Sequence, residues 1–95
     1  MGDHRITCTQ KPRADTPVSG ITDYGNHLKG WIRSRAITIA NARGGDTYFT
    51  NEDGTRAKAR IEGYPPNEFL QTAADWTSRN NLGNLPPCPP GLSRG

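Results

Sequence analysis

Between Thr55 and Glu62 apolar and basic residues alternate without a break: Ala57, Ala59 and Ile61 on one side, Arg56, Lys58 and Arg60 on the other. A period of two places successive side chains on opposite faces of a strand, so this stretch reads as a half-buried strand. Just before it stand Thr47-Tyr48-Phe49-Thr50, a short β-rich run, and Asn51-Glu52-Asp53-Gly54. Asp-Gly supplies the positive φ angles of a tight turn, so the two runs are expected to form a hairpin. Gly63-Tyr64-Pro65-Pro66-Asn67 is a second turn, and Glu68-Phe69-Leu70-Gln71-Thr72 a third strand. Together these make a meander.

The first half of the chain is less regular. Arg5 to Gln10 alternates, with Ile6 and Cys8 opposite Thr7 and Thr9, and reads as one strand with one buried face. Lys11 to Gly20 contains Pro12, Asp15, Pro17 and Ser19 and reads as a loop; Gly20 to Tyr24 is a weaker strand. Ser34 suits the N-cap of a helix from Arg35 to Arg43, and Gly44-Gly45 suits its stop. Ala36, Ile37 and Ala40 share the face expected to pack, with Ile39 off that stripe, although the β-branched Ile37-Thr38-Ile39 run also suits a strand. From Asn80 onward the chain is rich in Asn, Gly, Pro and Leu, an extended tail. The expected fold is α+β: a small antiparallel sheet of three to five short strands, including the meander, with one helix packed on a face. One compact domain is expected over residues 1–88, followed by a Pro/Gly-rich tail over 89–95.

Ninety-five residues with 32% hydrophobic content can close only a thin core. Trp31, Phe49, Phe69 and Trp76 are the natural bulk for it. No apolar run approaches the ~20 residues that cross a bilayer, so no membrane partner is expected. No apolar leader follows Met1, which points to the cytoplasm. There Cys8 and Cys88 are expected as reduced, buried thiols; a disulfide stapling the tail to the first strand is the alternative.

The order of these motifs resembles a known family. Ile6-Thr7-Cys8, Ile21-Thr22, Trp31 before Ala36-Ile37, Gly44, Tyr48-Phe49 and Gly54 form one part of the pattern. Phe69-Leu70-Gln71-Thr72-Ala73-Ala74-Asp75, Asn80-Asn81-Leu82 and Leu85-Pro86-Pro87-Cys88 form the rest. From Arg5 to Cys88 the chain resembles the short, mostly bacterial proteins catalogued as domain of unknown function 3892. It departs from them at Ser34-Arg35, at Ala40 and over Trp76 to Arg79. The resemblance implies a compact fold and brings no activity with it.

Chemistry is sparsely encoded. His4 and His27 stand in no triad spacing, Gly44-Gly45 lacks the lysine of a phosphate loop, and Glu52-Asp53 sit in a turn. His4 and Cys8, four apart on a strand, are about 13 Å from one another, too far to share a metal. No catalytic residue, metal or cofactor is therefore assigned. The expected function is a non-catalytic protein-interaction or structural module of a larger assembly, with Pro86, Pro87, Pro89, Pro90 and Leu92 as a partner-docking tail. The alternative is nucleic-acid binding. The net charge is +3, and Arg56, Lys58 and Arg60 would meet phosphates, with Tyr48 as a stacking surface and Arg33, Arg35 and Arg43 as further contacts.

Overall fold

A computed structural model describes residues 2–52, 54–72 and 82–94. Asp53 and the segment 73–81, which holds Trp76, lie outside the described residues. The strands are β1 (Asp3–Arg5), β2 (Cys8–Gln10), β3 (Asp23–Asn26), β4 (Trp31–Ser34), β5 (Thr47–Glu52), β6 (Thr55–Glu62), β7 (Phe69–Thr72) and β8 (Ser93–Arg94). Among the described residues one α-helix, α1 (Arg35–Arg43), follows β4 directly.

The α+β class holds, but the single antiparallel sheet does not. The strands form two four-stranded sheets, ordered β1-β5-β6-β7 and β2-β3-β4-β8. Both are mixed, because β1 runs parallel to β5 and β8 parallel to β4. The cause lies at Ile6-Thr7, inside what reads as one strand. The Ile6 N–H donates to the Phe49 carbonyl of the first sheet at 2.8 Å. The next N–H, that of Thr7, donates to the Gly25 carbonyl of the second at 2.9 Å. The chain thus changes sheets within one residue, and Ile6, Thr7, Cys8 and Thr9 are all buried rather than alternating.

The meander appears where the alternation places it, as β5-β6-β7, with Phe49 opposite Lys58 and Ile61 opposite Leu70. Gly54 in the hairpin turn has φ +79°. The helix also begins and ends as its caps demand. Ser34 Oγ accepts the Ile37 N–H at 3.2 Å, and the Gly44 N–H closes on the Ala40 carbonyl at 3.1 Å. Its packed face differs from the expected one. Ala36, Ile37 and Ala40 face solvent, while Thr38 and Ile39 are buried. Thr38 tolerates burial because its hydroxyl donates to the Ser34 carbonyl at 2.8 Å, leaving no unpaired polar atom on that face.

Two tyrosines, rather than the expected aromatic set, centre the core. Tyr24 and Tyr48 are buried with Ile6, Ile21, Ile39, Leu70, Leu82 and Leu85, whereas Trp31, Phe49 and Phe69 are only partly covered. Each tyrosine hydroxyl ties one sheet to the other. Tyr24 Oη on β3 accepts the Leu70 N–H of β7 at 3.1 Å, and Tyr48 Oη on β5 accepts from Arg33 Nη1 of β4 at 2.8 Å. Burial pushes the Tyr24 hydroxyl above its usual pKa, so it stays neutral in the interior.

Cys8 and Cys88 form a disulfide, so the thiols expected in the core are oxidised. The bridge packs with Ile32 and Leu92 in a second small cluster. Gly25 lies beneath it: a Cβ there would come within 2.9 Å of Cys88 Sγ and of the Trp31 carbonyl. The tail past Cys88 does not leave the body. The Ser93 N–H donates to the Gly30 carbonyl at 2.9 Å, Ser93 and Arg94 pair with Trp31 and Ile32, and Arg94 Nη1 reaches Asp23 Oδ1 at 2.8 Å. The expected boundary at Pro89 therefore shifts, and the folded body runs on to Arg94.

The bridge joins residues 80 apart in sequence. Closing a loop of that length removes much of the freedom of the unfolded chain, worth about 4 kcal/mol in the chain-entropy account. Urea unfolding with and without reductant is expected to differ by that order, and an unchanged midpoint would contradict it.

Candidate functional site

Two surfaces gather the residues singled out in the sequence. The first is the outer face of the first sheet. Arg56, Lys58 and Arg60 all project from it, exposed, as the alternation requires. Directly opposed residues share a face, so Phe49 joins them as the partner of Lys58, Gln71 as the partner of Arg60 and Phe69 as the partner of Glu62. The Arg56 guanidinium lies over the Phe49 ring, 3.8 Å from its centroid, and also donates to Asp3. Arg60 Nε donates to Glu62 Oε2 at 2.6 Å.

Tyr48 is not part of this face. It is 1% exposed, on the inner side of β5, so it cannot serve as a stacking surface. Two adjacent aromatics on one strand must point in opposite directions, and Phe49 is the outward one. Tyr48 turns inward because Arg33 satisfies its hydroxyl there. That same contact withdraws Arg33 from any phosphate array, its guanidinium also lying 4.9 Å from the centroid of the Trp31 ring. Arg35 Nη1 donates to the Ser19 carbonyl at 2.7 Å. Arg43 grips Glu68 through both terminal nitrogens, at 2.6 Å for Nη1. The seven residues expected to act together are thus divided, with three on the outer sheet face, two beside α1 and two in the interior seam.

The second surface is a groove of about 580 Å³ along α1, bounded by Arg35, Ala36, Ala40 and Arg43 on the helix and by Pro66 and Glu68 across from it. Its existence follows from the inverted helix face. The small Ala36 and Ala40 side chains leave room that larger residues would fill. Ile37, next to them, is 43% exposed, and Tyr64, in the turn that carries Pro66, is 86% exposed.

The tail presents Pro86, Pro87, Pro89 and Pro90 to solvent, while Leu92 packs against the disulfide cluster. Backbone bonds pin its start: the Thr9 N–H donates to the Pro86 carbonyl at 3.0 Å and the Cys88 N–H to the Thr9 carbonyl at 3.2 Å. Leu92 is thus partly buried against the disulfide cluster, while the four prolines stay exposed.

The histidines do not converge with the cysteines. His4 Nε2 lies 3.3 Å from Asp46 Oδ2, its ring packed against Tyr48. His27 Nδ1 is 2.7 Å from the Thr7 hydroxyl, which also accepts the His27 N–H at 3.0 Å. Among the described residues no three His, Cys, Asp or Glu side chains are grouped to hold a metal, and no helix is long and apolar enough to cross a membrane.

Two carboxyls beside β1 are held below their usual pKa. The Thr47 hydroxyl and then the Arg56 guanidinium lower Asp3, and the Gly2 N–H and then His4 lower Asp46. A group whose pKa falls on folding stabilises the fold above its unfolded pKa and loses that contribution as pH drops through the folded one. Stability is therefore expected to decline from about pH 5 downward, through the ordinary carboxylate range. Asp3→Asn should flatten that decline in urea titrations at successive pH values; a pH profile identical to the parent protein would count against the pairing. Comparison with protein-family models, curated proteins and solved structures returned no match to this chain.

Proposed function

We propose that the protein is a non-catalytic interaction module of a larger assembly, and that it receives an acidic, partly aliphatic segment of a partner protein in the groove along α1. The observation that carries this reading is the solvent-facing stripe Ala36, Ile37, Ala40, set between Arg35 and Arg43. A chain with so little apolar content gains from burying what it has, and a helix with an apolar stripe on its outer side is arranged for a second surface. Arg35, bonded to the neutral Ser19 carbonyl, keeps its charge for a carboxylate of the incoming segment, whereas Arg43 is already paired with Glu68. Tyr64 adds the type of exposed aromatic that anchors interfaces. The reading requires no metal and no cofactor. Kinship with the family catalogued as domain of unknown function 3892 belongs to the same proposal, supported by the order of motifs from Ile6 to Cys88.

Display selection of short peptides on the folded protein should enrich sequences that combine Asp or Glu with aliphatic residues. Ala40→Glu, a change on the exposed helix face, should reduce their binding at least tenfold by repelling them while leaving the thermal midpoint nearly unchanged. Peptides that bind Ala40→Glu as well as the parent protein would overturn the assignment.

The cytoplasmic address is a separate part of the proposal, and the disulfide bears on it. Cytosolic reductants keep thiol pairs open, whereas oxidising compartments keep them closed. A cytoplasmic address requires the Cys8–Cys88 bridge seen in the structure to open there, which alkylation before lysis and intact-mass measurement would register as two added groups. An unalkylated mass would place the protein in an oxidising compartment.

A further inference from the structure

We propose that the outer face of the first sheet binds single-stranded nucleic acid. This face shares no residue with the α1 groove, so the two assignments stand or fall separately.

Three observations lead there. First, Arg56, Lys58 and Arg60 form a row on β6 with a spacing of about 6.6 Å, a regular series of cations suited to a regular series of phosphates. Second, the row is flanked on both sides by aromatic rings, Phe49 on β5 and Phe69 on β7, both only partly covered. From the register, two strands across and four residues along, the rings are about 16 Å apart on a diagonal that crosses β6 at Arg60, with Lys58 directly beside Phe49. Third, the anions on this face, Asp3 on the edge strand β1 and Glu62 opposite Phe69, are each already paired with an arginine. Asp3 takes Arg56 and Glu62 takes Arg60, and in each pair both side chains are more than a third exposed. Exposed pairs of this kind are weak, so a phosphate oxygen can replace a carboxylate oxygen without leaving a buried charge behind. The described ion pairs do not include Lys58.

These features select the ligand. A duplex hides the faces of its bases, and an acidic peptide does not carry a planar ring beside each of its anions. A single strand offers both phosphates and free base faces, and aromatic rings accept any base. Guanidinium planes stack on bases as well as on rings, so one base is expected to continue the Phe49–Arg56 stack. A second base settles on Phe69, with the intervening phosphates over Lys58 and Arg60. The overall charge of +3 favours the encounter.

The test uses fluorescence anisotropy of the oxidised, full-length protein with labelled ~12-nucleotide oligo(dT) and oligo(U), a length within the usual single-strand site sizes. Binding at low salt is expected to weaken as salt rises. Replacing Lys58 and Arg60 together by Ala should reduce the steepness of the log–log salt plot by about 1.4, two single-strand phosphate contacts. Phe69→Leu should weaken binding at least fivefold with the salt slope unchanged, since stacking carries no counterion release. Arg56→Lys, at an exposed position, keeps the charge while removing the planar group, and provides the stacking test should Phe69→Leu lower the thermal midpoint. The proposal fails if no oligonucleotide binds at low salt. It fails equally if heparin fragments or duplex DNA compete as well as the single strand, or if neither stacking variant alters affinity.

Discussion

Two consecutive backbone N–H groups pointing at different sheets organise this molecule. At Ile6 the chain still belongs to the first sheet, and at Thr7 it has joined the second. Such a crossing would ordinarily leave peptide groups unpaired in the interior, where each unmet group is costly. Here the neighbouring side chains complete the bonding. Asn26 Nδ2 donates to the Arg5 carbonyl at 3.0 Å, and the Thr7 hydroxyl accepts the His27 N–H. Asn26, almost fully buried, also accepts the N–H groups of Leu28 and Lys29 at 2.9 Å through its Oδ1. The β3-β4 turn and the sheet crossing are therefore held by the same amide, and the remaining packing is built around that joint.

Polar groups close the seam between the sheets as much as apolar bulk does. A small chain cannot fill its centre with leucines alone, so it places two tyrosines there and satisfies each hydroxyl from the opposite sheet. This explains why Arg33 points inward, towards Tyr48, and why Trp31, Phe49 and Phe69 lie nearer the surface than the two tyrosines. The disulfide fulfils the corresponding role at the far end of the second sheet. It fits only because Gly25 has no side chain under it, and it holds the tail close enough for β8 to complete the edge of β4.

What was legible in the sequence was local. The meander rested on alternation and a turn dipeptide, and α1 on its two caps; both require information from a few neighbouring residues. What was not legible depended on residues far away. The parity of Tyr48 and Phe49 is undetermined on β5 itself, since either ring fits a half-buried strand, and Arg33 decides it. The packed side of α1 is not legible locally, because Thr38 reads as polar although its hydroxyl bonds back to the Ser34 carbonyl. β4 has no local signal because its four residues run without a break into the helix cap, and β8 has none because two residues carry no pattern. Of the two surfaces, the cationic row was readable and its aromatic flank was displaced by one position. The groove had no signal beyond the small size of Ala36 and Ala40.

The parallel pairing of β1 with β5 has a kinetic consequence. It joins Asp3 to Thr47 and Arg5 to Phe49, so the first sheet closes only after more than forty residues have been gathered between them. The hairpin β5-β6 has no such delay, because its strands are adjacent in the chain. Ordering of the polypeptide should then begin in the middle, spread to β7 and α1, and take up β1 and then β8, whose partner Trp31 lies still further from Ser93 in the chain, last. Chains dominated by distant pairings cross a higher entropic barrier and fold slowly for their length. A small domain of this kind would spend its early lifetime with the central hairpin formed and β5 still lacking its outer neighbour.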